Sequence, residues 1–157
     1  MKTEIGIKQE HLTEVAHALS KILADEFVLY TKTRNAHWNV EGPDFYSKHT
    51  FFENQYEQLD ETMDNVAERI RALGHYAPAK LSDFLALTHL SEASREPNDA
   101  TGFITVLLKD HESLIIHLRE LINVFANTYQ DLGTSDFVTG LMETHEKMAW
   151  MLRSHLK

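Results

Sequence analysis

Glycine and proline are scarce in this chain of 157 residues, six and three in all, and they fall in small groups. Gly42-Pro43, Gly74 with Pro78, Pro97 with Gly102, and Gly133 divide it into four long segments. Each segment spaces its apolar residues three and four apart, the period of a helix with one buried face. The spacing predicts a first helix over about 8–37, with Leu12, Val15, Leu19, Ile22, Phe27 and Tyr30 on one face. A second is expected over about 44–73, where Phe45, His49, Phe52, Tyr56, Leu59, Met63, Val66, Ile70 and Leu73 form a continuous seam. Gly74 suits its C-terminal stop. One or two helical turns are expected over 81–87.

A third long helix is predicted over about 99–129, with Leu107, His111, Leu114, Leu118, Leu121 and Phe125 repeating the seam. Gly133 then breaks the chain, and Thr134-Ser135 offers an N-cap for a last helix over about 136–155. Phe137, Leu141, Met148, Leu152 and Trp150 are read as its core residues. No segment alternates with period two for long enough to make a strand. The expectation is an all-α four-helix bundle, with a short helix in the long connection between its second and third long helices. A single domain spans 1–157, residues 1–8 being a short tail.

Composition narrows the compartment and partners. Hydrophobic residues are 43% and charged residues 25%, as in a soluble globular chain. The net charge of −9 disfavours an exposed nucleic-acid surface and suits a protein that attracts cations. Without cysteine, disulfides and thiolate sites are excluded. The first twelve residues mix Lys2, Glu4, Lys8 and Glu10 and hold no apolar signal core. No stretch approaches the ~20 apolar residues of a membrane span. The reading is a cytoplasmic protein with no membrane partner.

The chemistry concentrates around the Gly42-Pro43 turn. His37 closes the first helix and His49 lies early in the second, so the turn can bring both rings together. Glu53 follows His49 by one helical turn, and Asp64 and Glu68 are one turn apart further along. Imidazole nitrogen suits ferrous iron and carboxylate oxygen suits ferric iron, so this donor set fits a metal held through oxidation. On one straight helix, however, His49 and Asp64 lie about 22 Å apart at 1.5 Å per residue. Ligands of one metal must approach to about 2.0–2.2 Å. One chain therefore cannot gather all four. Two second helices crossing antiparallel on a twofold axis, near Glu57 to Leu59, set His49 of one chain opposite Asp64 and Glu68 of the other. Leu59 and Tyr56 are the expected apolar contact of that crossing. A di-iron centre inside one bundle needs two Glu-x-x-His motifs. Only Glu14 to His17 matches, and that site is rejected.

Together the run His37-Trp38-Asn39-Val40 with Gly42 and Phe45, then His49, Phe52 and Glu53, then Asp64, Ala67-Glu68-Arg69-Ile70 and Gly74 resembles the Dps family, mini-ferritins of the ferritin-like superfamily. The resemblance covers nearly the whole chain. It implies a hollow homododecamer whose two-iron ferroxidase sites lie at twofold subunit interfaces. It implies oxidation of ferrous iron, preferably by hydrogen peroxide, and storage of ferric mineral, which protects DNA from oxidative damage. Under the resemblance His37 and His49 are ligands from one subunit, and Asp64 and Glu68 come from its partner. Glu53 stands where many members have Asp, and its extra length leaves direct or water-mediated binding of the second iron open. Trp38 becomes an electron relay or radical trap, the alternative being interface packing. Asp131 and Asp136 become linings of the threefold pores through which cations enter, the alternative being helix-start acidity.

His111 is expected to be a hydrogen-bonded core residue. His11, His17, His75, His89, His117, His145 and His155 are expected to be surface or satisfied packing residues. The alternative function, a nucleoid-associated protein that protects DNA by direct binding, would call for a basic tail. Here Lys2 and Lys8 are balanced by Glu4 and Glu10, and direct DNA binding is not expected.

Overall fold

The computed structural model describes residues 3–93 and 98–157. Five α-helices follow one another: α1 Gln9–Asn39, α2 Phe45–Ala72, α3 Leu81–Leu87, α4 Ala100–Asn123 and α5 Leu132–Ser154. Among the described residues there is no strand, only an isolated bridge between Glu41 and Asp99 that ties the α1–α2 turn to the start of α4. No described helix is long and apolar enough to cross a membrane.

α1 packs along α2, and α4 along α5, to give the four-helix bundle; α3 lies against α1. The predicted seams supply most of the core; Phe45, placed in the second seam, is instead exposed at the start of α2. Leu12, Leu19, Ile22, Phe52, Leu59, Ile70 and Leu114 are completely enclosed, and burying each such side chain contributes about 1.5–3 kcal/mol. The α3 anchor is Phe84, whose ring stacks on Phe27 at 4.4 Å.

The ends of the helices follow local chemistry. Gly74 adopts φ +88 just past α2. Its N–H donates to the Arg71 carbonyl, and the His75 N–H reaches back to the Ile70 carbonyl, a pairing that satisfies the last carbonyls of the helix. Asp99 caps α4 by accepting from the Gly102 N–H at 2.7 Å.

Three expectations need correction. The last helix starts at Leu132 rather than near 136, and Asp131 is its cap, accepting from the Thr134 N–H at 2.9 Å. Gly133 does not break the chain. It sits in the first turn of α5, where a Cβ would stand 3.1 Å from Arg69 Nη2. The actual break is at Gln130, φ 57, after a π-helical turn over Val124–Thr128 at the end of α4. Trp150 is 61% exposed and not a core residue, because it falls on the outer face of α5 opposite Met148, Ala149 and Leu152.

The core also holds a line of polar side chains. Glu26 on α1, His145 on α5 and His111 on α4 are all fully buried. His145 Nε2 lies 2.7 Å from Glu26 Oε1, and its Nδ1 lies 3.0 Å from His111 Nδ1. His145 is thus a satisfied packing histidine, while His111 is a core residue hydrogen-bonded through Nδ1 whose buried Nε2 has no partner.

Candidate metal centre

α1 ends and α2 begins on either side of a turn in which Gly42 takes φ +127, a conformation that favours glycine. That turn folds α2 back along α1 and stacks the His37 and His49 rings, centroids 3.7 Å apart and planes 23° from parallel. Each ring bonds the other residue's backbone. His37 Nδ1 is 2.9 Å from the His49 carbonyl oxygen, and His49 Nδ1 is 2.8 Å from the His37 carbonyl oxygen. A carbonyl only accepts, so both Nδ1 atoms carry the proton and donate. In the neutral rings both Nε2 atoms keep their lone pairs. Backbone anchoring of this kind fixes the tautomer and orientation of a metal-binding imidazole.

Other side chains brace the pair. Tyr56 sets its ring edge-on to His37 at 5.1 Å and donates its hydroxyl to Glu53 Oε1 at 3.3 Å. Glu53, one turn after His49 on α2, is thereby held to the tyrosine that packs on His37. Burial and the Glu53 carboxylate push the Tyr56 phenol above its ordinary value of 10.0, so at neutral pH it remains a donor. The Arg34 guanidinium lies over the rings of Tyr56, Trp38 and Tyr30 at 4.3, 5.1 and 5.5 Å, within cation–π range. Sequence reasoning passed over Arg34. The signal was its place midway between Tyr30 and Trp38, four residues from each on one helical face.

Trp38 is 65% exposed and adjoins His37 on the outside of the corner. Asp64 and Glu68 are exposed on α2, which runs unbroken from Phe45 to Ala72. The separation of about 22 Å between His49 and Asp64 therefore holds. Among the described residues, no three His, Asp or Glu side chains already gather to hold a metal. Asp64 instead edges a groove with Glu57, Asp60 and Glu61, whose floor includes Phe27, Met63 and Phe84. Leu59 cannot supply the contact of a twofold crossing, since it is fully enclosed in the chain's own core. The half-buried Met63 and Phe27 are the apolar groups this face presents.

The two pore candidates separate. Asp136 is exposed in the first part of α5. Asp131 is 2% exposed, and its oxygens are taken by the Thr134 N–H, the Thr134 hydroxyl at 2.6 Å and Arg69 Nη2 at 3.3 Å. Its carboxylate is engaged inside the chain rather than presented to a passing cation.

The model of the ferritin-like domain matches residues 16–157. A low temperature-induced protein of Nostoc sp. is 43% identical over 156 residues, which cover 99% of this chain and 87% of that protein. DNA protection during starvation protein 2 of Bacillus anthracis is 35% identical, over 91% of this chain and 97% of its own. Among solved structures, the Dps protein of Vibrio cholerae superposes with a TM-score of 0.92 at 30% identity, covering 100% of this chain and 98% of that one. It is described as a member of a broad superfamily of ferritin-like diiron-carboxylate proteins. The Dps protein of Bacillus brevis superposes with a TM-score of 0.88 at 30% identity, over 100% of both chains. With its helical order, its histidine corner and these likenesses, the chain belongs to the Dps family of the ferritin-like superfamily.

Proposed function

We propose that this protein stores and detoxifies iron, oxidising ferrous to ferric iron with hydrogen peroxide and collecting the ferric mineral in a homododecameric shell. Its benefit to DNA is indirect, through removal of the two reagents that together release hydroxyl radical. The observation that carries this reading is the reciprocal bonding of His37 and His49. Two rings that each spend Nδ1 on the other residue's carbonyl, 2.9 and 2.8 Å away, keep both Nε2 atoms for a soft-to-intermediate cation.

In this reading His37, His49 and Glu53 hold iron from one subunit, while Asp64 and Glu68 of the partner subunit complete the site across a twofold axis. The carboxylates stabilise the ferric product. Two ferrous ions give one electron each, the O–O bond of peroxide breaks, and two protons are taken up to yield two waters. Passing both electrons together avoids the one-electron step. Asp136, exposed on α5, is the residue assigned to drawing cations through a pore, and Asp131 is assigned to capping.

The deciding experiment loads ferrous iron anaerobically, adds peroxide and follows ferric absorbance and particle size. His37→Ala/His49→Ala is expected to slow oxidation sharply while the shell still assembles. Unchanged kinetics in that variant would remove the assigned site. Direct coating of DNA is the second reading, and the net charge of −9 opposes it. Each phosphate contact requires a protein cation, so no gel shift is expected at about 0.15 M salt without divalent metal.

A further inference from the structure

A second histidine pair lies at the other end of the chemistry, where the chain approaches α4 after leaving α3. His89 belongs to that connection, His117 to α4, and their ring centroids are 5.3 Å apart with planes inclined at 56°. They border an open cleft of about 570 Å³ with Asp25, Ser113 and Glu120. Asp25, on α1, is completely buried. Its Oδ1 accepts from the Thr88 hydroxyl at 2.6 Å and the His89 N–H at 2.9 Å, and its Oδ2 lies 2.7 Å from His89 Nδ1. In the neutral ring the proton therefore sits on Nδ1, and Nε2 is left with a lone pair. At 3.1 Å from Nε2, the Ser113 hydroxyl supplies the donor.

We propose that His89 and His117 form a second metal site, taking a zinc-like divalent cation with Glu120 and water filling the remaining positions. Two observations converge on this. A buried carboxylate behind an imidazole is the arrangement that orients and strengthens a metal-binding histidine. Imidazole nitrogens bound at about 2.0–2.1 Å set each ring centroid about 3.2 Å from the metal, so two rings at a tetrahedral angle stand about 5.2 Å apart. The observed centroid spacing of 5.3 Å matches that figure, with His89 Nε2 exchanging the Ser113 hydroxyl for the metal.

The same Asp25, His89 and Ser113 order could be read as a nucleophilic triad. Ser113, however, lies in the middle of α4, which runs from Ala100 to Asn123. The backbone N–H groups around it are spent inside the helix, so none is free to hold a developing oxyanion. The cleft fits a cation better than an acyl transition state.

This site shares no residue with the iron centre proposed above, so either can fail without the other. The His37→Ala/His49→Ala shell is titrated with cobalt(II), a spectroscopic substitute for zinc, without iron or peroxide. The expected result is one ion per chain with the visible bands of a tetrahedral centre, displaced by zinc. Adding His117→Gln, which removes a donor from a half-exposed position, is expected to abolish the bands while helicity and assembly persist. Adding Asp25→Asn instead, with both rings retained, is expected to weaken binding by about tenfold or more. Absence of tetrahedral bands, or binding equally tight in the His117→Gln shell, would overturn the proposal.

Discussion

His145 stands between Glu26 and His111 in the closed core, 2.7 Å from the carboxylate and joined to the second imidazole at 3.0 Å. Three helices are thereby linked where water does not reach. Breaking such a buried pair by removing one partner costs about 3–5 kcal/mol, because the survivor stays buried without compensation. His145→Ala is expected to lower the thermal midpoint strongly, and Glu26→Gln less so, since an amide still accepts from His145. Calorimetry at fixed protein concentration checks both. A His145→Ala shell as stable as the parent would show that the line of polar groups is dispensable.

The same line makes stability depend on pH. Burial, and then the charge of His145, hold His111 well below its ordinary value of 6.5. The unfolded chain binds a proton there as pH falls through that value, and the folded chain does not. Stability is therefore full above about pH 6.5 and declines below it, by at most about 1.4 kcal/mol per pH unit for this one proton. His111→Gln is expected to cost stability at neutral pH and to flatten the acid limb. Unfolding midpoints measured from about pH 7.5 to about pH 5 check the change in slope.

Asp131 and Asp136, close in sequence, are expected to differ in what they do. Asp131→Ala removes the cap of α5 and one partner of Arg69, which keeps its bonds to the Thr134 hydroxyl, at a cost of about 1–2 kcal/mol. Asp136→Ala, on the exposed surface, is expected to leave stability within about 0.5 kcal/mol. If Asp136 lines a pore, its replacement slows ferrous uptake into the shell and leaves folding alone. Thermal midpoints and stopped-flow iron uptake on the two variants separate cap from pore.

Trp38 is expected to be dispensable for iron oxidation itself but not for containment of radicals. Its indole is exposed, adjoins His37, and lies 5.1 Å from the Arg34 guanidinium. Trp38→Phe keeps the aromatic face for Arg34 and removes the more oxidisable ring. The initial rate of ferric absorbance is expected to stay nearly unchanged, while spin-trapped radical adducts during turnover increase. No increase would leave Trp38 as interface packing.

The helices were legible because their apolar residues repeat without interruption over several turns, and Gly42 and Gly74 stand where left-handed backbone is required. Start points were harder. Gly133 reads as a breaker, yet it is small because Arg69 passes 3.1 Å from where its Cβ would be. That contact joins residues 62 to 65 positions apart and leaves no local trace. The meeting of His37 and His49 was legible from residue type and spacing. The crossed bonds from their Nδ1 atoms to backbone carbonyls were not, since any residue supplies a carbonyl. His89 and His117 were read as bland for a related reason. The Asp25 carboxylate that meets His89 lies more than sixty residues away on α1, and only the folded chain brings them together.

The strongest test of the shared iron site is complementation between two defective chains. His37→Ala/His49→Ala lacks the imidazoles, and Asp64→Asn/Glu68→Gln lacks the carboxylates. Each homogeneous shell is expected to oxidise iron slowly. In a mixed twofold pair, one site loses both halves, while the other combines the intact histidines of one chain with the intact carboxylates of its partner. Random pairing makes half the dimers mixed, so about one quarter of all sites recover. Co-refolded shells are therefore expected to regain about a quarter of the parent rate, although either component alone is slow. A site built within one chain predicts no recovery at any mixing ratio. Stopped-flow absorbance across a series of ratios, with the optimum at equal amounts, distinguishes the two geometries.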